Sequence, residues 1–259
     1  MKLIQMNFWN GRLFFPLKRF LEAEKPDFIS GQEIADAPSE VSATDHWVAS
    51  MFVTQKLVKD YALASERPFY EDRMESVKET VNVGVLSQTP IVERKIIDII
   101  DPEEFKINRY LPQYAQLLHA TVSTLDGPDL HIMTYQGRSP EGAANIPHFG
   151  RMGYDKVDAE FERIADYMTM VDGPKIFAGD MNLWQTAPVF QSLKKKTDMV
   201  NLVEEYGIKE GRNEFAWGGN NEIVSHMFVT PDIKVDSFCV APQDVRVSDH
   251  QPLILEFRL

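Results

Sequence analysis

The chain has 259 residues, 44% of them hydrophobic and 25% charged, an ordinary balance for a globular protein that can bury a sizeable core without staples. Its 27 Lys and Arg against 39 Asp and Glu leave a formal charge of −12, which excludes tight, sequence-independent binding to long duplexes unless positive charge is gathered in one place. A nuclease stays open, because a divalent cation brings local positive charge.

The opening "KLIQMNF" reads as a strand and "FPLKRFLEAEK" as a short amphipathic helix beginning near Pro16. "PDFISGQE" reads as a second strand, closing a β-α-β unit. "VNVGVLSQTPIVERKIIDI" holds two strands around a turn at Thr89-Pro90, and "YAQLLHATVSTLDGPDLHIMTYQG" two alternating strands around Asp126-Gly127-Pro128. From Asp155 to about Met170 the period changes. Val157, Phe161, Ile164, Ala165 and Met168 share one helical face, and Asp172-Gly173-Pro174 stops the helix. "PKIFAGDMNLW" is a short apolar strand that runs through Gly179 into Asp180, Met181 and Asn182. "EIVSHMFVT" and "QPLILEFRL" are the last strands read. Strands outnumber helices and neighbours look antiparallel, so one domain over 1–259 is expected, a two-sheet sandwich with helices outside. A doubly wound parallel sheet is the alternative.

The single Cys239 rules out an internal disulfide and fits a reducing compartment; in "VDSFCVAP" it is expected to be a small buried apolar residue. The N-terminal stretch shows no cleavable signal pattern, and no run approaches the ~18 apolar residues of a membrane helix, so a cytoplasmic location is expected.

Polar residues that a core does not need stand at four strand ends: Asn7, Glu33, Asp180 with Asn182, and Asp249 with His250. Singly, each is a turn or surface residue. Together they offer hard oxygen ligands and an imidazole. Glu33 and Asn7, with Asp249 as a third candidate, suit Mg²⁺ or Mn²⁺, which take carboxylate and amide oxygens and, for Mg²⁺, retain waters. His46, His119, His131 and His148 lack ligand spacing and read as structural or surface residues. The lysine run in "LKKKTDMV" reads as a solvated helix face.

These segments, in this order, resemble the endonuclease/exonuclease/phosphatase (DNase I-like) superfamily from Asn7 to His250. "QMNFWNGR" is similar to the first motif, "PDFISGQE" to the second, "GVLSQTPI" to the segment before the central strands, "FAGDMN" to Gly-Asp-x-Asn, and "SDHQPL" to the terminal Ser-Asp-His. The resemblance implies a four-layered sandwich of two mixed, largely antiparallel sheets flanked by helices. It implies a metal-dependent phosphoesterase, most simply a phosphodiesterase. Asp180 would orient or deprotonate the attacking water, and Asn182 would hold that water or a phosphate oxygen. Asn7 and Glu33 would place the metal, and His250 would touch the phosphate.

Two positions depart from the pattern. Gln136, in "HIMTYQGR", stands where a histidine is expected, and Ser225, in "EIVSHMFVT", where its aspartate partner is expected. An alternative alignment puts Tyr135 at the site, as in the abasic-site endonuclease branch. A strand turns only one of the two toward a cleft, and Gln136 is preferred. Gln136 can donate an amide hydrogen but cannot transfer a proton. Gln136 and Ser225 are expected to face each other across the cleft. Arg138 is placed to contact phosphate, and Trp184 either stacks on a base or sugar or joins the core. The expected partner is a phosphodiester, small or single-stranded, with a nucleic acid, a nucleotide and a phospholipid or inositol headgroup all open; the oligomeric state is open too, a monomer being the simplest. A catalytically impaired family member that binds or regulates is the alternative.

Overall fold

The computed structural model describes residues 1–9, 13–36, 62–65, 80–100, 116–124, 127–137, 154–212, 221–242 and 244–259. They form twelve strands and four helices. In order these are β1 (Lys2–Asn7), α1 (Phe14–Glu24), β2 (Phe28–Asp36), β3 (Ala62–Ser65), β4 (Thr80–Ser87), β5 (Ile91–Asp98), β6 (Gln116–Val122) and β7 (Leu130–Gln136). Then come α2 (Tyr154–Thr169), β8 (Lys175–Asp180), α3 (Pro188–Thr197), β9 (Val200–Asn201), α4 (Leu202–Glu205), β10 (Ser225–Val229), β11 (Lys234–Val240) and β12 (Leu253–Arg258). Arg138 and Asp126, together with His46 and His148, lie outside the described residues.

The strands make two six-stranded sheets, ordered β11-β12-β1-β2-β4-β3 and β5-β6-β7-β8-β10-β9. Most pairs are antiparallel; β1 with β2 and β7 with β8 are parallel. The doubly wound alternative is therefore wrong. The segment around Thr89-Pro90 joins strands of different sheets, since β4 pairs with β2 and β5 with β6.

Side-chain alternation sorts the apolar residues into three layers of core. Leu3 and Phe28 from the first sheet meet Leu118, Ile132 and Ile176 from the second, between the sheets. The residues next to them point outward. Ile4, Met6 and Ile29 pack with Leu17, Phe20 and Leu21 of α1. Met133, Tyr135 and Phe177 pack with Phe161, Ile164 and Met168 of α2 and with Phe190 and Leu193 of α3. The result is a four-layered sandwich, helix–sheet–sheet–helix. Helix α1 ends where Lys25 turns left-handed and returns its N–H to Leu21 O at 2.9 Å. Gly173, at φ 92°, ends the approach to β8 after α2.

Cys239 departs from expectation. It is exposed on β11, at the edge of its sheet, because alternation turns Phe238 inward and Cys239 out. The lysine run is solvated and paired: Lys194 with Glu204 at 2.5 Å and Lys196 with Asp166 at 2.6 Å. No helix among the described residues is long and apolar enough to cross a membrane.

Candidate active site

Between the sheets, the facing surfaces change character along the strands. On β7 and β8 they begin apolar, with Leu130, Ile132 and Ile176. Then a buried polar band follows. Gln5 Nε2 donates to Gln32 Oε1 at 2.7 Å, Gln32 Nε2 to Thr134 Oγ1 at 2.8 Å, and Ser30 Oγ to Thr134 Oγ1 at 2.9 Å. One pleat further on stand Asn7, Gln136 and Asp180, the last residues of β1, β7 and β8, with Glu33 from within β2, which runs on to Asp36 rather than ending at Glu33. The register explains the gathering: Asn7 pairs with Gln32, Gln136 with Asp180, and Asp180 with Ser225.

Gly179, just before Asp180, is fixed by a close approach. A Cβ there would stand 2.0 Å from Tyr135 O, and one at Gly137 2.1 Å from Met181 O. Only glycine lets β7 and β8 run this close at the point where they deliver Gln136 and Asp180. On β2 the pairing with β4 slips between Gly31 and Ile34, and Glu33 sits at φ 50°. This bulge re-aims the carboxylate toward the other sheet.

Asp180 is 2% exposed. Its Oδ2 accepts from Asn7 Nδ2 at 3.1 Å and lies 3.6 Å from His250 Nδ1, while its Oδ1 accepts from Asn182 N at 3.3 Å. Glu33 Oε1 accepts two amide donors, Asn7 Nδ2 at 2.9 Å and Gln136 Nε2 at 3.1 Å. Asn7 Oδ1 accepts from Trp9 N at 2.8 Å, so the amide nitrogen, rather than the oxygen, faces the carboxylates. His250 Nδ1 is 3.5 Å from Ser225 Oγ, and its Nε2 is 3.9 Å from Asp249 Oδ2. Asp249 Oδ1 accepts from Ser248 Oγ, which also receives His250 N, both at 3.2 Å. Burial pushes the Glu33 carboxyl up. The Asn7 hydrogen bond opposes this, and the charges of Asp180 and Asp249 push it further up.

The expected site residues thus meet in one place: Asn7, Gln136, Asp180 and Ser225 from strand ends, Glu33 from the bulge in β2, and Asp249 and His250 from the segment before β12. Two open alternatives, at Tyr135 and Trp184, are decided, and two readings, of the Gln136–Ser225 pair and of Asn182, change. Tyr135 faces the other way; its hydroxyl donates to Glu160 Oε2 of α2 at 2.9 Å and its ring stacks edge-on against Phe161, as alternation from Gln136 requires. Gln136 and Ser225 do not face each other, because β8 runs between β7 and β10 and sets Asp180 between them. The Gln136 amide is held by Glu33 and the Ser225 hydroxyl lies beside His250. Asn182 is not in an extended segment: β8 ends at Asp180, Asn182 takes φ 51°, and its Nδ2 donates to Gly137 O at 2.8 Å. Trp184 is 57% exposed and is not core. His226 points away from the site, as its place after Ser225 requires, with Nε2 donating to Leu183 O at 2.9 Å.

Gln136 Oε1 is buried without a hydrogen-bond partner among the described residues. Such an acceptor calls for a donor from a bound group or water. Among the described residues no three His, Cys, Asp or Glu side chains close into a metal cage. A hard cation held by few protein ligands still fits. Both amide donors fall on Glu33 Oε1, which leaves Oε2 for a cation, and a positive charge there offsets the mutual repulsion of Glu33, Asp180 and Asp249.

No protein-family model matches the sequence, and no curated protein matches it either. Solved structures do match the fold. A mannosyl-6-phosphatase from Bacteroides thetaiotaomicron superposes with TM-score 0.70 at 13% identity, covering 100% of both chains. An endonuclease/exonuclease/phosphatase from Beutenbergia cavernae gives 0.68 at 18% identity, covering 100% of this chain and 71% of that one. TDP2 of D. rerio, complexed with a single strand DNA product, gives 0.67 at 15% identity, covering 100% of this chain and 99% of that one. The fold is that of the endonuclease/exonuclease/phosphatase, DNase I-like, proteins.

Proposed function

We propose that the chain is a divalent-metal-dependent phosphoesterase, acting on a phosphodiester. The observation that carries this reading is the buried Asp180 carboxylate, set between the Asn7 amide and the His250 imidazole, with Glu33 joined to it through that amide. A scaffold gains nothing from burying such a cluster, because gathering buried carboxylates costs free energy even where amides hydrogen-bond to them.

Glu33 would hold Mg²⁺ or Mn²⁺ through Oε2, with Asp249 as a second oxygen donor and waters completing the shell. Such an ion neutralises charge on the equatorial phosphate oxygens. Asn7 acts from behind, as the donor that fixes both carboxylates. Asp180 orients the attacking water and takes its proton at Oδ2; the Asn182 N–H pins its other oxygen, so Asn182 is a positioning residue. His250 faces the phosphate, with Ser225 beside its Nδ1. Gln136 stands where a proton-transferring histidine would add to the rate, and its orphan Oε1 accepts from a water or a substrate hydroxyl. The leaving group can rest on the exposed Trp184, just beyond the turn, where a base or sugar stacks. The net charge of −12 favours a small or single-stranded substrate, and the TDP2 neighbour with its single strand DNA product agrees with this.

Hydrolysis of bis(p-nitrophenyl) phosphate with Mg²⁺ or Mn²⁺, and its loss in EDTA, is the test. Asp180→Asn should lower kcat by about 10²-fold or more, since an amide takes no proton from water. Calorimetric titration of Mn²⁺ should show Glu33→Gln binding at least about tenfold more weakly. No hydrolysis by wild type across metals and substrates would turn the reading to a non-catalytic binding protein.

A further inference from the structure

We infer that Arg212 is a substrate-binding residue, whose guanidinium takes non-bridging oxygens of the phosphate held at His250. This rests on the phosphoester reading of the site.

Arg212 belongs to a short ladder beside β10 that is tied to the site by backbone alone. Glu210 bridges Glu222, and Arg212 bridges His250, both antiparallel. Gly211 N donates to Asn221 O at 3.0 Å, Gln251 N to Gly211 O at 2.8 Å, and Ile223 N to Lys209 O at 3.2 Å. A Cβ on Gly211 would lie 2.7 Å from Ile223 Cδ1, so the ladder is close-packed where it turns toward Arg212. Directly opposed residues of an antiparallel pair project from the same face, with Cβ atoms about 5 Å apart. The His250 side chain on that face reaches Asp180 and Asp249. Arg212 therefore projects from the same face as the imidazole, one strand over.

The guanidinium has a use there. The site holds three carboxylates, Glu33, Asp180 and Asp249, and its ligand is an anion. Arg212 is partly buried, and its Nε is fully shielded from solvent with no hydrogen-bond partner among the described residues. A shielded donor on an obligate cation is costly unless an acceptor arrives. The planar fork of an arginine matches two phosphate oxygens, which a lysine cannot do.

The test is equilibrium binding of inorganic phosphate to the full chain with Mg²⁺, by calorimetry, in wild type, Arg212→Gln and Arg212→Lys, with thermal unfolding as a check on folding. We expect Arg212→Gln to weaken phosphate about tenfold or more and Arg212→Lys to fall in between. In steady-state hydrolysis the same glutamine variant should raise KM by about tenfold and move kcat by less than about threefold, the mark of lost uniform binding. Should the glutamine variant fail to fold, the lysine variant decides alone, with a loss of about threefold expected. Phosphate affinity unchanged in a folded variant, or no phosphate binding by wild type, overturns the assignment. Phosphate binding that depends on Arg212 without any hydrolysis ends the hydrolase reading and leaves this one standing. Hydrolysis with affinity indifferent to Arg212 does the reverse.

Discussion

Tyr135 and Gln136 are neighbours in sequence and belong to different parts of the protein. Gln136 is turned between the sheets, where its Nε2 holds Glu33; Tyr135 is turned to the helical layer, where its hydroxyl donates to Glu160. Their substitutions should separate accordingly. Tyr135→Phe removes one donor from Glu160, itself 4% exposed, and should cost about 1–3 kcal/mol of stability while leaving kcat/KM within about twofold. Gln136→Ala frees Glu33 from one of its two donors and should alter Mn²⁺ affinity and turnover while costing little stability. Urea unfolding and phosphodiester hydrolysis on both variants read this out, and a Tyr135→Phe protein that is as stable as wild type but inactive would reverse the assignment. That only one of the two faces the cleft was legible from strand alternation; the preference for Gln136 is decided by its hydrogen bond to Glu33. The role of Asn182 was not legible: nothing local in "GDMN" says that the strand stops at Asp180 and the chain turns left-handed two residues later. Arg212 gave no signal either, since its pairing with His250 joins segments far apart in the chain and follows no periodicity.

At the scale of elements, the site depends on strands that come closer, or pair less regularly, than ordinary ones. The bulge in β2 turns Glu33 to the cleft, and the glycine contacts let β7 and β8 close up beneath Gln136 and Asp180. Gly179→Ala tests this. The new Cβ would stand 2.0 Å from the Tyr135 carbonyl oxygen, and backbone cannot step aside as a side-chain end can. The strands must part, so a loss of about 3 kcal/mol or more is expected in denaturant unfolding, with lower activity in whatever fraction folds. A variant as stable and active as wild type would show that the two strands tolerate the separation. The long apolar strands and α2 were readable from periods of 2 and 3.6. So were the β1–α1–β2 unit and the pairing of β6 with β7, while the neighbours of the other strands were not. The same sequence pattern serves β4 in one sheet and β5 in the other, and the order β7-β8-β10, which places Asp180 between Gln136 and Ser225, comes from connections rather than from any residue type. Cys239 was misread for a related reason: "FCV" has core composition, but on an edge strand alternation exposes every second residue.

The whole molecule brings its two parallel pairs, β1–β2 and β7–β8, face to face, so that their carboxyl ends open at one place between the sheets. The same packing buries an uncharged histidine behind the site. His226 is fully buried, gives its Nε2 hydrogen to Leu183 O, and lies with its ring centre 4.3 Å from that of Phe190, while Nδ1 has no partner among the described residues. Burial pulls its pKa down from 6.5 to about 4, against the Leu183 hydrogen bond and the charge of Asp180. The unfolded chain takes up a proton at about 6.5 and the folded one only near 4. The neutral imidazole therefore contributes stability that is fully present above pH ~6.5 and is lost as pH falls from there to ~4, a total of about 3 kcal/mol. His119 is pulled down to about 4 as well, by burial first and then by His131, and steepens the loss in the same window. Glu33 acts with the opposite sign, since its raised pKa makes the folded state the better proton acceptor. A comparison of His226→Gln with wild type removes these shared contributions. The glutamine keeps a donor for Leu183 O and does not titrate. Urea unfolding between pH 7.5 and 4 should show wild type losing stability more steeply than the variant, with the difference confined to the interval between about 6.5 and 4. Parallel curves would mean that His226 takes up its proton at the same pH folded and unfolded, so that burial does not hold the imidazole neutral.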